Sequence, residues 1–262
     1  MILCDCHIHA FEKGVARMGA AYVPPEKDVS NYMTEEARPN GIGRAVIIQA
    51  SVDGTDNNAL LRALNSAPTG IALRGVAMIA PGSPGLEALA AAGIRAARVQ
   101  DRGRLGLNEL AYLPVIAERA AEVDWHVELN TEPERFVAIG DMLHSLPAQQ
   151  PLVLDHYGHV DPKLMSQQDD LARLLDSGRV WVKLSPTRIS RDTDKYGDVE
   201  GLTARLVASW PERCLWGSDW PHVMTKPPLP RIADMLDLCR RVLPAALQKQ
   251  LLQDNPARLY RF

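Results

Sequence analysis

Eight short, mostly apolar runs recur along the chain: ILCDCHIH (2–9), AVIIQA (45–50), GVAMIA (75–80), AARVQ (96–100), WHVELN (125–130), PLVLDH (151–156), VWVKLS (180–185) and CLWGSDW (214–220). Between them lie stretches with helical period, among them NALLRALNSA, LEALAAAG, ELAYLPVIAERAAEV, ERFVAIGDMLHSL and DDLARLLDSG, several of which stop at Gly93, Gly178 or a proline. Strands this continuously apolar are buried on both faces, which is how parallel strands read, and their regular alternation with helices favours a sheet closed on itself over an open one. The pattern predicts an α/β chain folded as a (β/α)8 TIM barrel, eight parallel strands inside a ring of helices, with residues 1–262 forming one catalytic domain. The tail LPAALQKQLLQDNPARLYRF reads as an extra helix and a final anchor.

Composition narrows the class without changing it. At 262 residues, 46% hydrophobic and 23% charged, the chain can bury a core of barrel size. A net charge of -3 with no Lys/Arg cluster argues against nucleic acid as a partner. No apolar run approaches the roughly 20 residues that span a bilayer, and no signal-like start is present, so the expectation is a cytoplasmic protein without a membrane partner. Whether it forms a homo-oligomer stays open. The four cysteines Cys4, Cys6, Cys214 and Cys239 give no CxxC pair, and with His7 and His9 taken to face the barrel interior, strict alternation sends Cys4 and Cys6 outward against the helices.

Active sites of this fold sit at the C-terminal ends of the strands, and polar residues gather there. His7 and His9 close the first run, one residue apart on one face of the strand, where paired imidazoles serve as metal ligands, proton shuttles or hydrogen-bond donors to a polarised oxygen. Arg98 lies near the end of the fourth run, Asn130 ends the fifth and His156 the sixth; Lys183 and Ser185 lie on the seventh, and Asp219 and His222 follow the eighth. His126 shares the parity of Asn130 but begins its strand, so it reads as a packed core histidine, and Lys183 reads as an ion-pair partner before a catalytic amine.

HIH at the first strand, LDHYGH at the sixth, LWGSDWPH at the eighth and the closing DNPARLY, together with IIQASVDGTDNNAL, GIRAARV and WVKLS, resemble the amidohydrolase superfamily of the amidohydrolase-2 type, in its branch of pyrone-dicarboxylate and sugar-acid lactonases. The resemblance spans nearly the whole chain. It implies a hydrolase in which His7, His9, His156 and Asp219 surround a reacting ester carbonyl. Asp219 would activate water and His156 or His7 would polarise the carbonyl oxygen; a single divalent ion (Zn or Mn) on His7, His9, His156 and Asp219 is the alternative electrophile. The resembled lactonases work without a metal, so no required cofactor is the favoured expectation, and Asn130 stands where relatives with two metals carry a Lys or His ligand. The resemblance also assigns Arg98, Arg104 and Arg188 to substrate carboxylates, a match for the guanidinium fork, with Asn130 and His222 completing the pocket.

Two departures bear on the substrate: Asn130 replaces a substrate-facing tyrosine, and SPTR differs from the family pattern by one residue in length. A small carboxylated lactone is therefore expected, 2-pyrone-4,6-dicarboxylate-like or aldarolactone- or muconolactone-like. A related isomerase carries Asn where this chain has Asp219, which favours hydrolysis here, because an amide cannot deprotonate water. Lactone isomerisation, metal-dependent decarboxylation and a non-catalytic binding barrel are the alternatives. The polar loop RISRDTDKYGDVEG is either a lid or an ordinary surface excursion.

Overall fold

A computed structural model describes residues 2–12 and 21–262, with the Arg104 side chain outside the described set. Eight parallel strands pair in chain order: β1 (Leu3–Ile8), β2 (Ile42–Ile48), β3 (Ala72–Met78), β4 (Ile94–Asp101), β5 (His126–Thr131), β6 (Leu152–Leu154), β7 (Val180–Leu184) and β8 (Cys214–Trp216). The seam between first and last strand is closed just beyond β8. There the His9 amide donates to the Trp220 carbonyl at 2.8 Å and the Asp219 amide to the His7 carbonyl at 2.8 Å. The fold is the expected (β/α)8 barrel.

Helices follow the strands and bury one apolar face each. Asn58–Asn65, Leu86–Ala91, Leu113–Ala121, Phe136–Met142, Met165–Asp176, Glu200–Ser209 and Ile232–Val242 pack against the outward strand residues, among them Ile47, Ala77, Val99, Leu129, Leu154, Val182 and Trp216. A helical segment from Val29 to Asn40, with a π-turn at Met33–Ala37, fills the first position, although its polar sequence carries little helical period. The tail acts as the expected anchor: the helix Asn255–Tyr260 drives Leu259 and Tyr260 into the barrel floor beside Cys4, Cys6, Val46, Val153, Trp181 and Leu215.

That interior cluster corrects one expectation. Cys4 and Cys6 face into the barrel, not toward the helices. Between Asp5 and Ile8 the pairing slips: Asp5 opposes Ala45 and Ile8 opposes Ile47, so three steps on β1 match two on β2. The surplus residue is a bulge, and it lets Cys6 and His7 both turn inward while Ile8 joins the outer layer. Strict alternation fails at that point, and His7 and His9 still reach the interior.

Candidate active site

The strand ends bring His7, His9, His156 and Asp219 together. His7 Nε2 lies 3.6 Å and His9 Nε2 3.4 Å from Asp219 Oδ1. The His156 ring is 4.6 Å, centroid to centroid, from that of His7, and all four residues are buried. Backbone geometry contributes: His156, His159, Asp219 and His222 have φ of 55°, 56°, 64° and 61°, a left-handed conformation that costs on the order of 1 kcal/mol each and redirects side chains beyond what strand alternation allows. At the seam, Gly217 lets β8 approach β1 so closely that a Cβ there would stand 2.6 Å from His7 Cβ.

Two of the histidines are oriented by a second contact. His9 Nδ1 donates to the Ile48 carbonyl at 2.8 Å, which turns Nε2 toward Asp219. His7 Nδ1 sits 3.3 Å from Asp155 Oδ1; with its proton there, Nε2 presents a lone pair toward Asp219. A lone pair and a carboxylate converging on one point repel unless a proton, a water hydrogen or a cation lies between them. His7 Nε2, His156 Nδ1 and both ring nitrogens of His222 are buried with no hydrogen-bond partner among the described residues. His7, His9 and Asp219, and separately His7, Asp155 and His156, have the spacing to hold a metal ion.

Electrostatics set the protonation states. Burial pushes the His7 imidazole down to about 4, against the pull of Asp155, and pushes His222 down to about 4 as well. His156 falls well below its usual range for the same reason. Burial alone would raise the Asp219 carboxyl, but Arg188, His156, His9 and His7 outweigh it and hold the group well below the usual carboxylate range. At neutral pH Asp219 is thus an ionised carboxylate beside the neutral imidazoles of His7, His156 and His222.

A cavity of about 50 Å³ opens onto this cluster, lined by His9, Arg98, Asn130, His156, Arg188 and Asp219 together with Tyr22, Gln100 and His159. Arg188 donates through Nε to Asp219 Oδ2 and through Nη1 to the Val223 carbonyl at 3.1 Å. Arg98 is held deeper, donating to the Gln49 carbonyl at 2.8 Å and to Asp155 Oδ2 at 3.3 Å. Asn130 accepts from His159 Nε2 at 2.8 Å. His222 is buried behind Asp219, its amide donating to the Asp219 carbonyl at 2.9 Å, and does not line the cavity. Arg104 begins no described contact, since its side chain lies outside the described residues.

Asp155, Glu128, His159 and Tyr22 escaped the reading of the sequence. Period-two alternation along β5 puts Glu128 between His126 and Asn130 on the interior face, and along β6 it puts Asp155 with Val153; that signal was available. His159 enters by its left-handed backbone, which alternation does not reveal. Below the mouth, Lys183 is fully buried and contacts Glu128 Oε2, Asp155 Oδ1 at 3.4 Å and His7 Nδ1 at 3.4 Å, so it is the expected ion-pair partner. His126 pairs with Glu128 Oε1 at 3.3 Å, and Tyr260 donates to the same oxygen at 2.6 Å. A larger cavity of about 550 Å³ lies at the opposite end of the barrel, among Trp125, His126, Arg179, Arg213 and Arg258.

A parallel barrel with an HxH strand, a histidine after β6 and an aspartate after β8 defines the amidohydrolase class, and the chain belongs to the amidohydrolase family, which matches residues 4–262. It is 32% identical to the 2-pyrone-4,6-dicarboxylate hydrolase of Comamonas testosteroni, covering 98% of this chain and 89% of that protein. It is 30% identical to the 4-sulfomuconolactone hydrolase of Hydrogenophaga intermedia, over 98% and 88% of the two chains. A crystal structure of a probable 2-pyrone-4,6-dicarboxylic acid hydrolase from Acinetobacter baumannii, with citric acid bound, superimposes with a TM-score of 0.87 at 25% identity and full coverage of both chains.

Proposed function

We infer that the protein is a lactone hydrolase that opens the ring ester of a small carboxylated lactone. The observation that carries the chemistry is the ionised carboxylate of Asp219, set beside three buried imidazoles, His7, His9 and His156, at the mouth of the barrel. In the proposed reaction Asp219 takes a proton from water as the water attacks the ring carbonyl, and His156, neutral and with Nδ1 unpartnered, donates a hydrogen bond to the carbonyl oxygen as charge builds there; collapse of the tetrahedral intermediate breaks the ring C–O bond, and the proton held by Asp219 passes to the departing oxygen. Asp155 holds His7 in register through Nδ1. Arg98 and Arg188 supply the cationic edge for substrate carboxylates, Asn130 hydrates the pocket beside them, and Arg104 is kept as a further carboxylate contact and His222 as a support behind Asp219.

The donor set His7, His9 and Asp219 also fits a divalent ion, which would accept their lone pairs; when bound, such an ion would supply Lewis-acid polarisation of the carbonyl. Metal-free catalysis is the preferred reading, because the unpartnered Nδ1 of His156 already offers a donor to the carbonyl oxygen. Activity retained after exhaustive chelation, with metal content measured on the same sample, supports it; loss restored by one equivalent of Zn²⁺ or Mn²⁺ overturns it.

A panel of lactone acids (pyrone dicarboxylates, muconolactones and aldarolactones) in a weakly buffered pH-indicator assay tests the reaction itself. Hydrolysis releases one proton per ring opened, whereas isomerisation releases none. Turnover without proton release would replace the hydrolase by an isomerase.

A further inference from the structure

Both carboxylate oxygens of Asp219 are engaged by neighbouring side chains. Asp219 Oδ1 faces His7 and His9 at 3.6 and 3.4 Å, and Oδ2 receives Arg188. The cavity of about 50 Å³ has room for one or two waters, at ~30 Å³ each, and falls far below the several hundred Å³ usual for a ligand site. A ring acid enters only when something moves. The two arginines differ in that respect: Arg98 is 3% exposed and tied to two partners inside the barrel, whereas Arg188 is 14% exposed and extends from the short turn Pro186–Arg188, outside β7.

We propose that Arg188 is a latch on Asp219 that a carboxylate of the lactone releases, so that recognition of the acid and activation of the base are one event. The proposal rests on the lactonase reading and goes beyond it by making the substrate's carboxylate a condition of turnover as well as a binding handle. Guanidinium chemistry supports the exchange. Arg188 meets Asp219 through Nε, while Nη1 bonds the Val223 carbonyl, and among the described residues Nη2 has no hydrogen-bond partner. The Nε/Nη2 edge that grips a carboxylate with two parallel bonds is therefore half used, and an incoming carboxylate can take the whole of it. Asp219 Oδ2 is then open to water.

A neutral lactone leaves the latch shut, so discrimination against it appears in kcat as well as in KM. The test is a double-mutant cycle read by calorimetry with isophthalate, a planar dicarboxylate that cannot be hydrolysed, on wild type, Asp219→Asn, Arg188→Met and the double variant, with melting curves to confirm folding. The latch predicts that Asp219→Asn tightens isophthalate roughly 10-fold to 100-fold, the scale of one charge-assisted bond, when Arg188 is present, and by less than about threefold when it is Met. An equal gain in both backgrounds means general repulsion between anions and overturns the latch, as does no gain, or no binding to any of the four proteins. A kinetic arm compares a lactone acid with its methyl ester: the kcat ratio between them should shrink in Arg188→Met, and an unchanged ratio overturns the proposal. Failure of wild type to hydrolyse any lactone counts against the lactonase reading alone, since the calorimetric cycle needs no turnover.

Discussion

The two halves of the barrel interior both contain buried charge, and they treat it in opposite ways. In the lower half Glu128 is surrounded by Lys183, Tyr260 and His126, and the fully buried lysine answers a second carboxylate, Asp155. At the mouth, His7 Nε2, His156 Nδ1 and both nitrogens of His222 lack partners among the described residues, and Asp219 stands against His7, His9 and Arg188. A buried polar group left without a partner costs on the order of 1–3 kcal/mol. The lower network is what a core does with ionisable groups when stability is the only demand. The upper cluster keeps its donors and acceptors open, which is the arrangement a passing substrate can use.

If that contrast is right, substitutions above should damage rate and substitutions below should damage folding. Asp219→Asn should lower kcat for lactone hydrolysis by about 10²–10⁴-fold with a nearly unchanged melting temperature; a variant that retains full activity would place the base elsewhere. Lys183→Met strips the cation from between two buried carboxylates and should cost about 3–5 kcal/mol in urea unfolding. Tyr260→Phe removes a single donor to Glu128 and should cost about 1.5–3 kcal/mol, with kcat intact per folded molecule.

The pH dependence of unfolding sharpens the same contrast at smaller scale. His7 and His222 titrate near 4 when folded against an ordinary 6.5, and His126 and His156 are also lowered, so the unfolded chain binds protons that the native one refuses. Their stabilisation is complete above about pH 6.5 and is lost as pH falls toward 4, with a slope of about 1.4 kcal/mol per pH unit for each histidine. Asp5, raised to about 6 by burial, and Glu36, raised for the same reason, work in the opposite sense but are fewer than the four lowered histidines. Urea midpoints measured at pH 7.5, 6.0 and 5.0 should therefore decline in that order; a flat series would mean that the mouth histidines are solvated or already paired.

Much of this architecture can be read from hydrophobic pattern, because strands covered on both faces and amphipathic helices are strong periodic signals. β5 illustrates the success: one parity selects His126 and Asn130 for the interior, and depth along the strand separates packed from accessible, while Glu128, on the same parity, went unread. β1 illustrates the failure, since one surplus residue inverts the faces of Cys4 and Cys6 while leaving both histidines inside. His159 and His156 are aimed by left-handed backbone after β6, a property of the turn that alternation cannot express. The segment Val29–Tyr32 and its continuation escaped notice because helical packing there rests on few apolar positions, Val29, Tyr32, Met33 and Ala37. The Arg188–Asp219 contact joins residues 31 apart, from two loops, and no local pattern announces it.

The irregular first strand carries a practical lesson for anyone re-engineering the pocket. Its extra residue acts as a phase shifter between the floor of the barrel and the rim, so inserting or deleting a single position among Asp5, Cys6 and His7 would rotate both imidazoles out of the cavity at once. Libraries aimed at new lactones should leave that stretch untouched and vary the loops after β4 and β7, where length can change without disturbing the phase.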